Sequence, residues 1–225
     1  MRTTWDAAAR SGRRDDYVGD PATARAELDG LFGRLSDDPR GGVCVEVGCG
    51  PGRMTGELAA RFDRVIAIDV SPAMLDLAHR NVSAQNVEFR IVSGERLDGL
   101  EGGVADALVC YLVLQHLPSR RYVLGYLEEI GRVLAPGGRA YVQVPVLAGG
   151  VRPRLWRFLR RVVVPAAARL SGNLAKQPAY RGFRLTEPEL ARGLSAAGLR
   201  VSARDESVES PYRYAREVFL RLEPE

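Results

Sequence analysis

Between residues 42 and 144, short apolar runs and amphipathic stretches take turns along the chain. Residues 42–47, 65–69, 87–92, 106–111 and 139–144 are runs of strand length, rich in valine, isoleucine and leucine. Between the first two, residues 54–62 repeat at helical spacing and carry Leu58 and Ala59 inward. Ser71-Pro72 then opens a helix that runs to about Asn81, because serine caps well and proline is favoured at the first helical position. Residues 121–134 read as another helix, and Ala135-Pro-Gly-Gly138 as a stop before the fifth strand. Strand-then-helix alternation predicts an α/β fold whose parallel sheet is covered on both faces.

The alternation lapses after Pro145 and returns at residues 186–197, a helix with a capping-box pattern from Thr186 to Glu189 that ends at Gly198. Residues 199–203 and 217–222 are two final strands. The short return between them, around Ser210-Pro211, favours an antiparallel hairpin at one end of the sheet. At the other end, residues 1–40 form a helical cap ahead of the first strand. The lapse, residues 146–184, is expected to be an insertion carrying one strongly amphipathic segment, VRPRLWRFLRRVVVP. As a helix from about Pro153 until Pro165, it gathers Leu155, Phe158, Leu159, Val162 and Val163 on one face, with Trp156 at the margin. Arg154, Arg157, Arg160 and Arg161 take the other face. The apolar face is expected to be buried, and the position after the fifth strand suggests a lid in which Trp156 and Phe158 touch a substrate. Two other readings stay open: contact of residues 151–164 with an anionic membrane surface, and plain core or dimer packing.

Composition narrows the setting. With 225 residues and 46% apolar content, the chain can bury one full core but is short for two ordinary domains, so residues 1–225 are expected to be a single domain. Cys44, Cys49 and Cys110 are spread through apolar or glycine-rich segments without CxxC or histidine pairing. That odd count suggests neither a disulfide framework nor a zinc site. The first residues lack an apolar signal core and nowhere do eighteen apolar residues run together, so the expectation is a soluble, unprocessed, cytoplasmic chain. The net charge of +4 is modest, and with Lys176 the single lysine it is nearly all arginine, a skew of composition rather than a nucleic-acid footprint.

The candidate chemistry starts at VEVGCGPGR, residues 45–53, where Gly48, Gly50 and Gly52 follow an apolar run. Glycine permits a tight turn and the close approach of a nucleoside cofactor. The dinucleotide fingerprint G-x-G-x-x-G needs a third glycine where this chain has Arg53, and Glu46 would repel a pyrophosphate. S-adenosylmethionine, with an ammonium and a sulfonium at that end and no phosphate, suits the loop better. Asp69 ends the second run about twenty residues after the glycines, where a carboxylate can take both ribose hydroxyls. Ser93-Gly94-Glu95 follows the third run and either offers an acceptor for an adenine amino group or is a surface turn.

Together these motifs resemble the class I S-adenosylmethionine-dependent methyltransferases of the small-molecule type. VEVGCGPG is similar to that family's first motif, VIAIDVSPAML to its second, VSGE to its adenine loop, and DALVCYLVLQHLP with RVLAPGGRAYV to its later motifs. LTEPELARGLSAAGL is a weaker echo. The resemblance implies a Rossmann-like, seven-stranded, mostly parallel sheet with an antiparallel strand near one edge, and S-adenosylhomocysteine as product. It implies that Glu46 and the backbone of Gly48, Cys49 and Gly50 meet the methionine portion, and that Asp69 holds the ribose. It also implies that Val70 and Met74 cover the adenine faces, that Gly94, Glu95 and Arg96 line its edge, and that Tyr111 closes over the methionine amine. Glu95 stands where the family commonly has aspartate.

In-line methyl transfer asks mainly that the acceptor be held behind the methyl. A hydroxyl acceptor must also lose a proton, for which His116 is the candidate base, with a loop-fixing role as the other reading. Gln115 and Tyr111 could orient an acceptor, or simply pack against cofactor. Trp5 and Tyr17 precede the core in a segment that often closes over the cofactor in this family, either of them equally a staple holding that segment to the sheet, and His79 reads as a surface residue. The methyl acceptor is expected to be a small molecule, its O, N or C atom left open along with the oligomeric state. The alternatives are a related fold that binds cofactor without transferring methyl, and a lipid or quinone methyltransferase at a membrane surface. Nucleic acid is disfavoured as a partner, since neither an NPPY-type motif nor an RNA-binding module is present.

Overall fold

The structure is a computed structural model that describes residues 2–10, 20–153, 155, 156, 158, 159, 182–210 and 214–225. Among the described residues seven strands form one sheet: β1 (Val43–Val47), β2 (Arg64–Asp69), β3 (Val87–Ile91), β4 (Ala105–Cys110), β5 (Leu134–Leu147), β6 (Leu199–Asp205) and β7 (Ala215–Pro224). Their order is β3-β2-β1-β4-β5-β7-β6. All neighbouring pairs are parallel except those of β7, which runs antiparallel to both β5 and β6. The expected hairpin is therefore β6–β7, and its second strand inserts beside β5. Strand order reverses at β1, which pairs with β2 on one side and β4 on the other. Sheets of this type leave a crevice at that switch, beyond the carboxyl ends of the strands.

Among the described residues six helices surround the sheet: α1 (Arg2–Arg10), α2 (Ala24–Arg34), α3 (Thr55–Ala59), α4 (Pro72–Asn81), α5 (Arg120–Val133) and α6 (Glu187–Ala196). A further helical stretch includes residues 151–153, 155, 156, 158 and 159. Period-two alternation sends β1 side chains to two separate cores. Val45 and Val47 pack with Leu127 and Ile130 of α5 and Leu190 and Leu194 of α6. Cys44 faces the other way, with Leu28, Leu31 and Phe32 of α2 and Leu58 of α3. Local signals set the helix ends: Ser71 Oγ accepts the Met74 N–H at 3.2 Å to cap α4, and the Thr186–Glu189 capping box starts α6.

Three expectations need correction. Ala135-Pro-Gly-Gly138 does not halt the chain before β5, because pairing already begins at Leu134. The glycines form a bulge, Gly137 at φ +80°, while the partner register shifts between Ala105 and Ala107. The helix expected over 54–62 is confined to Thr55–Ala59. In the insertion the helical stretch starts at Val151, and the described part of its apolar face is not buried: Leu155, Phe158 and Leu159 are 56%, 63% and 48% exposed. Trp156 instead is the half-buried side chain, edge-on to Tyr214 with Arg184 over its ring. Arg154, Arg157 and residues 160–181, including Val162, Val163 and Pro165, lie outside the described residues, as does Tyr17.

The insertion's exit is tied to the β4 side of the crevice. The Phe183 N–H donates to the Leu117 carbonyl at 2.7 Å, and the Leu147 N–H to the Leu185 carbonyl at 2.8 Å. Gly182 runs so close to this loop that a Cβ there would stand 1.9 Å from the Gln115 carbonyl oxygen.

Candidate functional site

The chain leaves β1 through a turn in which the Gly48 and Cys49 N–H groups both donate to the Ile68 carbonyl, at 2.8 and 3.0 Å. Its three glycines have left-handed backbones and three different tasks. Gly48, at φ +72°, leaves room for Val113, whose Cγ2 would lie 2.5 Å from an added Cβ. Gly52, at φ +82°, lets the turn pack on Ala78 of α4 and on Val82 just beyond it. Gly50, at φ +55°, faces open space, with no atom within 4 Å of an added Cβ. Only the middle glycine combines bare backbone with room for a ligand.

Two buried carboxylates flank the turn. Glu46, 5% exposed, accepts the Thr55 hydroxyl at 2.6 Å. Burial pushes its carboxyl up to about 7; the Thr55 bond opposes the rise, and nearby Asp69 adds to it. Asp69 is 8% exposed and accepts the Gly50 N–H at 3.0 Å and the Ser71 N–H at 2.8 Å. Burial raises it as well, against the pull of those backbone donors. Two carboxyl groups held out of water in one crevice make a site in which added positive charge is favoured.

The opposite wall is the loop after β4. Leu112 turns it with φ +59°, and a short 3-10 helix, Leu114–His116, follows. Tyr111, Val113, Gln115 and His116 line a cleft with Glu46, Gly48–Gly50, Asp69, Val70 and Met74, enclosing about 1090 Å³ including its mouth. The Gln115 amide nitrogen lies 3.1 Å from His116 Nε2. As an amide nitrogen only donates, this assignment makes Nε2 the acceptor and the imidazole the neutral Nδ1–H tautomer.

Helix α1 roofs the cleft. The Arg2 Nε–H donates to the Val70 carbonyl at 3.1 Å, and Asp6 accepts the Ser71 hydroxyl at 2.5 Å and the Ala73 N–H at 3.4 Å. These ties set Trp5 in the lining, edge-on to His116 with centroids 5.0 Å apart.

The structure thus brings Glu46, Gly48, Cys49, Gly50, Asp69, Val70, Met74, Tyr111, Gln115, His116 and Trp5 together around one cleft. It does not bring Gly94, Glu95 and Arg96 there: Glu95 is exposed and accepts the Tyr122 hydroxyl at 3.1 Å, while Arg96 pairs with Glu129. The Ser93 N–H, held by Asp98 at 2.9 Å, turns this loop onto α5. Trp156 and Phe158 are likewise absent from the lining, and His79 is exposed on α4. Sequence reasoning missed Arg53, which lines the cleft and holds Glu27 of α2 with two bonds of 2.9 and 3.0 Å. No local signal joins residues that far apart in the chain.

Residues 45–142 match the family model described as "Methyltransferase domain". Among similar proteins, the ubiquinone biosynthesis O-methyltransferase of Xanthomonas oryzae pv. oryzae is 32% identical over 117 residues, 51% of this chain and 47% of that protein. The N-demethylindolmycin N-methyltransferase of Streptomyces griseus is 31% identical over 146 residues, 61% of this chain and 60% of that one. The matched part of the chain thus spans about half the length of the relatives at the head of this group. Among solved structures, the N-methyltransferase NodS from Bradyrhizobium japonicum, in complex with S-adenosyl-L-homocysteine, superposes with a TM-score of 0.66. That likeness covers 100% of this chain and 98% of NodS at 17% identity, and it speaks for the fold. Strand order, the glycine turn at the switch point and the matched span of residues 45–142 make this chain similar to the class I S-adenosylmethionine-dependent methyltransferases.

Proposed function

We propose that the chain binds S-adenosylmethionine in this cleft and catalyses methyl transfer to a small-molecule acceptor, leaving S-adenosylhomocysteine. The observation that carries the reading is the pair of buried carboxylates, Glu46 and Asp69, on either side of a glycine turn that is open at Gly50. The donor set fits this cofactor. Glu46 and the Gly48–Gly50 backbone would hold the cationic methionine end, Asp69 the ribose hydroxyls, and Val70 and Met74 the adenine faces. Glu95 has no part in this reading, since Tyr122 engages it outside the cleft. When bound, the cofactor supplies a methyl group already activated on a sulfonium.

The protein's own work is to place the acceptor and keep water out. Trp5 and His116 form an aromatic rim at the mouth, and Gln115 presents an amide beside them. For an acceptor hydroxyl, neutral His116 would take the proton at Nε2 once the Gln115 amide yields that lone pair. Similarity to proteins named O- and N-methyltransferases supports both acceptor atoms.

The test is calorimetric titration with S-adenosylhomocysteine and NAD, followed by mass-spectrometric detection of methylated product across a panel of phenols, amines and carboxylic acids. Binding of the first ligand alone, with turnover on one class, is the expected result. No binding of S-adenosylhomocysteine refutes the reading.

A second reading, contact with a membrane surface, is supported by the exposed Leu155, Phe158 and Leu159 beside exposed Arg152. No helix among the described residues is long and apolar enough to cross a membrane. Flotation with anionic vesicles, lost in Phe158→Glu, is expected if that contact forms; equal recovery of both proteins with the vesicles removes it.

A further inference from the structure

Beneath the β4 loop lies a chain of buried polar groups that the proposed chemistry does not use. Gln143 on β5 and Glu217 on β7 are each 3% exposed, in a sheet region otherwise lined by valine and leucine. The Leu112 N–H donates to Gln143 Oε1 at 2.9 Å. Because a backbone N–H can only donate, that bond settles the orientation of the Gln143 amide. Its nitrogen therefore donates to Glu217 Oε2, and Glu217 Oε1 accepts the Ser210 hydroxyl at 2.6 Å. Every polar atom of the Gln143–Glu217 couple named here has a partner, and the chain of bonds ends at one point in the cleft wall.

That point is strained. Leu112 has φ +59°, a conformation that costs a side-chain-bearing residue about 1–2 kcal/mol and persists only where its surroundings impose it. The left-handed turn reverses the chain directly after β4. It leaves Tyr111 in the cleft lining and carries Val113 onto Gly48, where the added-Cβ distance of 2.5 Å shows how close the two loops pass. The two walls of the cleft thus meet through Val113 and Gly48, and the placement of Val113 depends on Leu112.

We propose that Gln143, Glu217 and Ser210 form a strut that holds Leu112 in its left-handed turn, so that all three are positioning residues for the cofactor cleft. They touch no ligand themselves. The inference rests on the reading of this cleft as the S-adenosylmethionine site. It also links the cleft to the segment that joins β6 and β7, since Ser210 lies in that segment.

The test exploits the strain. Glycine adopts φ near +60° without penalty, so Leu112→Gly should make the turn less dependent on the strut. Affinity for S-adenosylhomocysteine is measured by calorimetry on the full chain, with thermal unfolding alongside. Gln143→Leu is expected to weaken binding by about tenfold, the scale of one lost buried hydrogen bond. Gln143→Leu combined with Leu112→Gly is expected to recover most of that loss, and Glu217→Gln, which keeps shape and a hydrogen-bonding end, to stay near the parent. A role in core packing alone would lower the unfolding temperature of Gln143→Leu without any rescue of affinity by a change at residue 112. Should Gln143→Leu fail to fold, Ser210→Ala with and without Leu112→Gly gives the same comparison at a half-buried position. Gln143→Leu binding as the parent does, or a loss that Leu112→Gly leaves unrecovered, overturns the strut. A parent protein that takes up no S-adenosylhomocysteine overturns the cofactor reading and the strut with it.

Discussion

Replacing Glu46 by glutamine keeps the shape of the side chain and its bond from Thr55 while removing a cleft carboxyl that titrates near neutrality. Its ordinary value of 4.5 is pushed up to about 7, first by burial and then by Asp69, against the Thr55 bond. The folded protein therefore holds this proton more tightly than the unfolded chain does. Stability from that proton is fully present below pH 4.5, falls as pH rises toward 7, and is gone above it. At about 1.4 kcal/mol per pH unit, the interval amounts to about 3 kcal/mol. Urea unfolding of parent and Glu46→Gln between about pH 5 and 8 should accordingly diverge, the parent losing up to about 3 kcal/mol relative to the variant. The raised Asp69 carboxyl is present in both proteins, so its own loss largely cancels in the difference. The same carboxyl should report on the ligand. At pH 7 about half of the Glu46 population carries a proton, and a cationic methionine end would expel it. Calorimetry of S-adenosylmethionine binding in buffers of different ionisation enthalpy should then show release of about half a proton by the parent and none by Glu46→Gln. Parallel unfolding curves across this range, together with equal proton release, would refute the burial argument.

Asp69→Asn removes the charge proposed for the ribose and, because the Gly50 and Ser71 N–H groups bond to different carboxylate oxygens, leaves one of them facing an amide NH2; S-adenosylhomocysteine affinity should drop by about 10–100-fold, read by calorimetry. Gly48→Ala places a methyl against Val113 at φ +72° and should cost about 1–3 kcal/mol in urea unfolding, partly regained with Val113→Ala. Gly50→Ala meets no atom, so beyond backbone strain of about 1–2 kcal/mol its effect should fall on ligand affinity; equal affinity in the two alanine variants would contradict the division of labour among the glycines. On a hydroxyl acceptor, His116→Gln should slow turnover by roughly 10²–10⁴-fold with cofactor affinity held, whereas a joint loss of affinity and thermal stability would assign His116 to loop fixing beside Trp5.

Much of this molecule was written locally. Strands buried on both faces must be apolar runs, and helix ends need donors or acceptors within a few residues, so the strand sequence, the Ser71 cap and the Thr186–Glu189 box were legible from the chain alone. So was the pairing of a glycine turn with Glu46 and Asp69, because all three sit at the carboxyl ends of adjacent strands, where spacing along the chain becomes proximity in space. Strand order itself, with β7 between β5 and β6, reflects how the hairpin docks on the sheet edge, which local spacing does not specify.

Where sequence reasoning stopped short, the deciding contacts join distant segments. The path of the 93–96 loop depends on Asp98 and on Glu129 of α5, so the carboxylate meant for adenine lies outside the cleft, with Tyr122. The roof depends on Asp6 reaching Ser71, and the Arg53–Glu27 pair on α2 lying against the glycine turn. The helical wheel of the insertion was regular, yet amphipathicity only says that a face is available for burial; in the described residues Trp156 turns inward and Phe158 outward. Periodicity and capping are properties of neighbours along the chain and are therefore carried by the sequence alone. Which side chains share a cavity, and which turn is held in a strained conformation, depend on a packing free energy summed over segments that meet only once the sheet has closed.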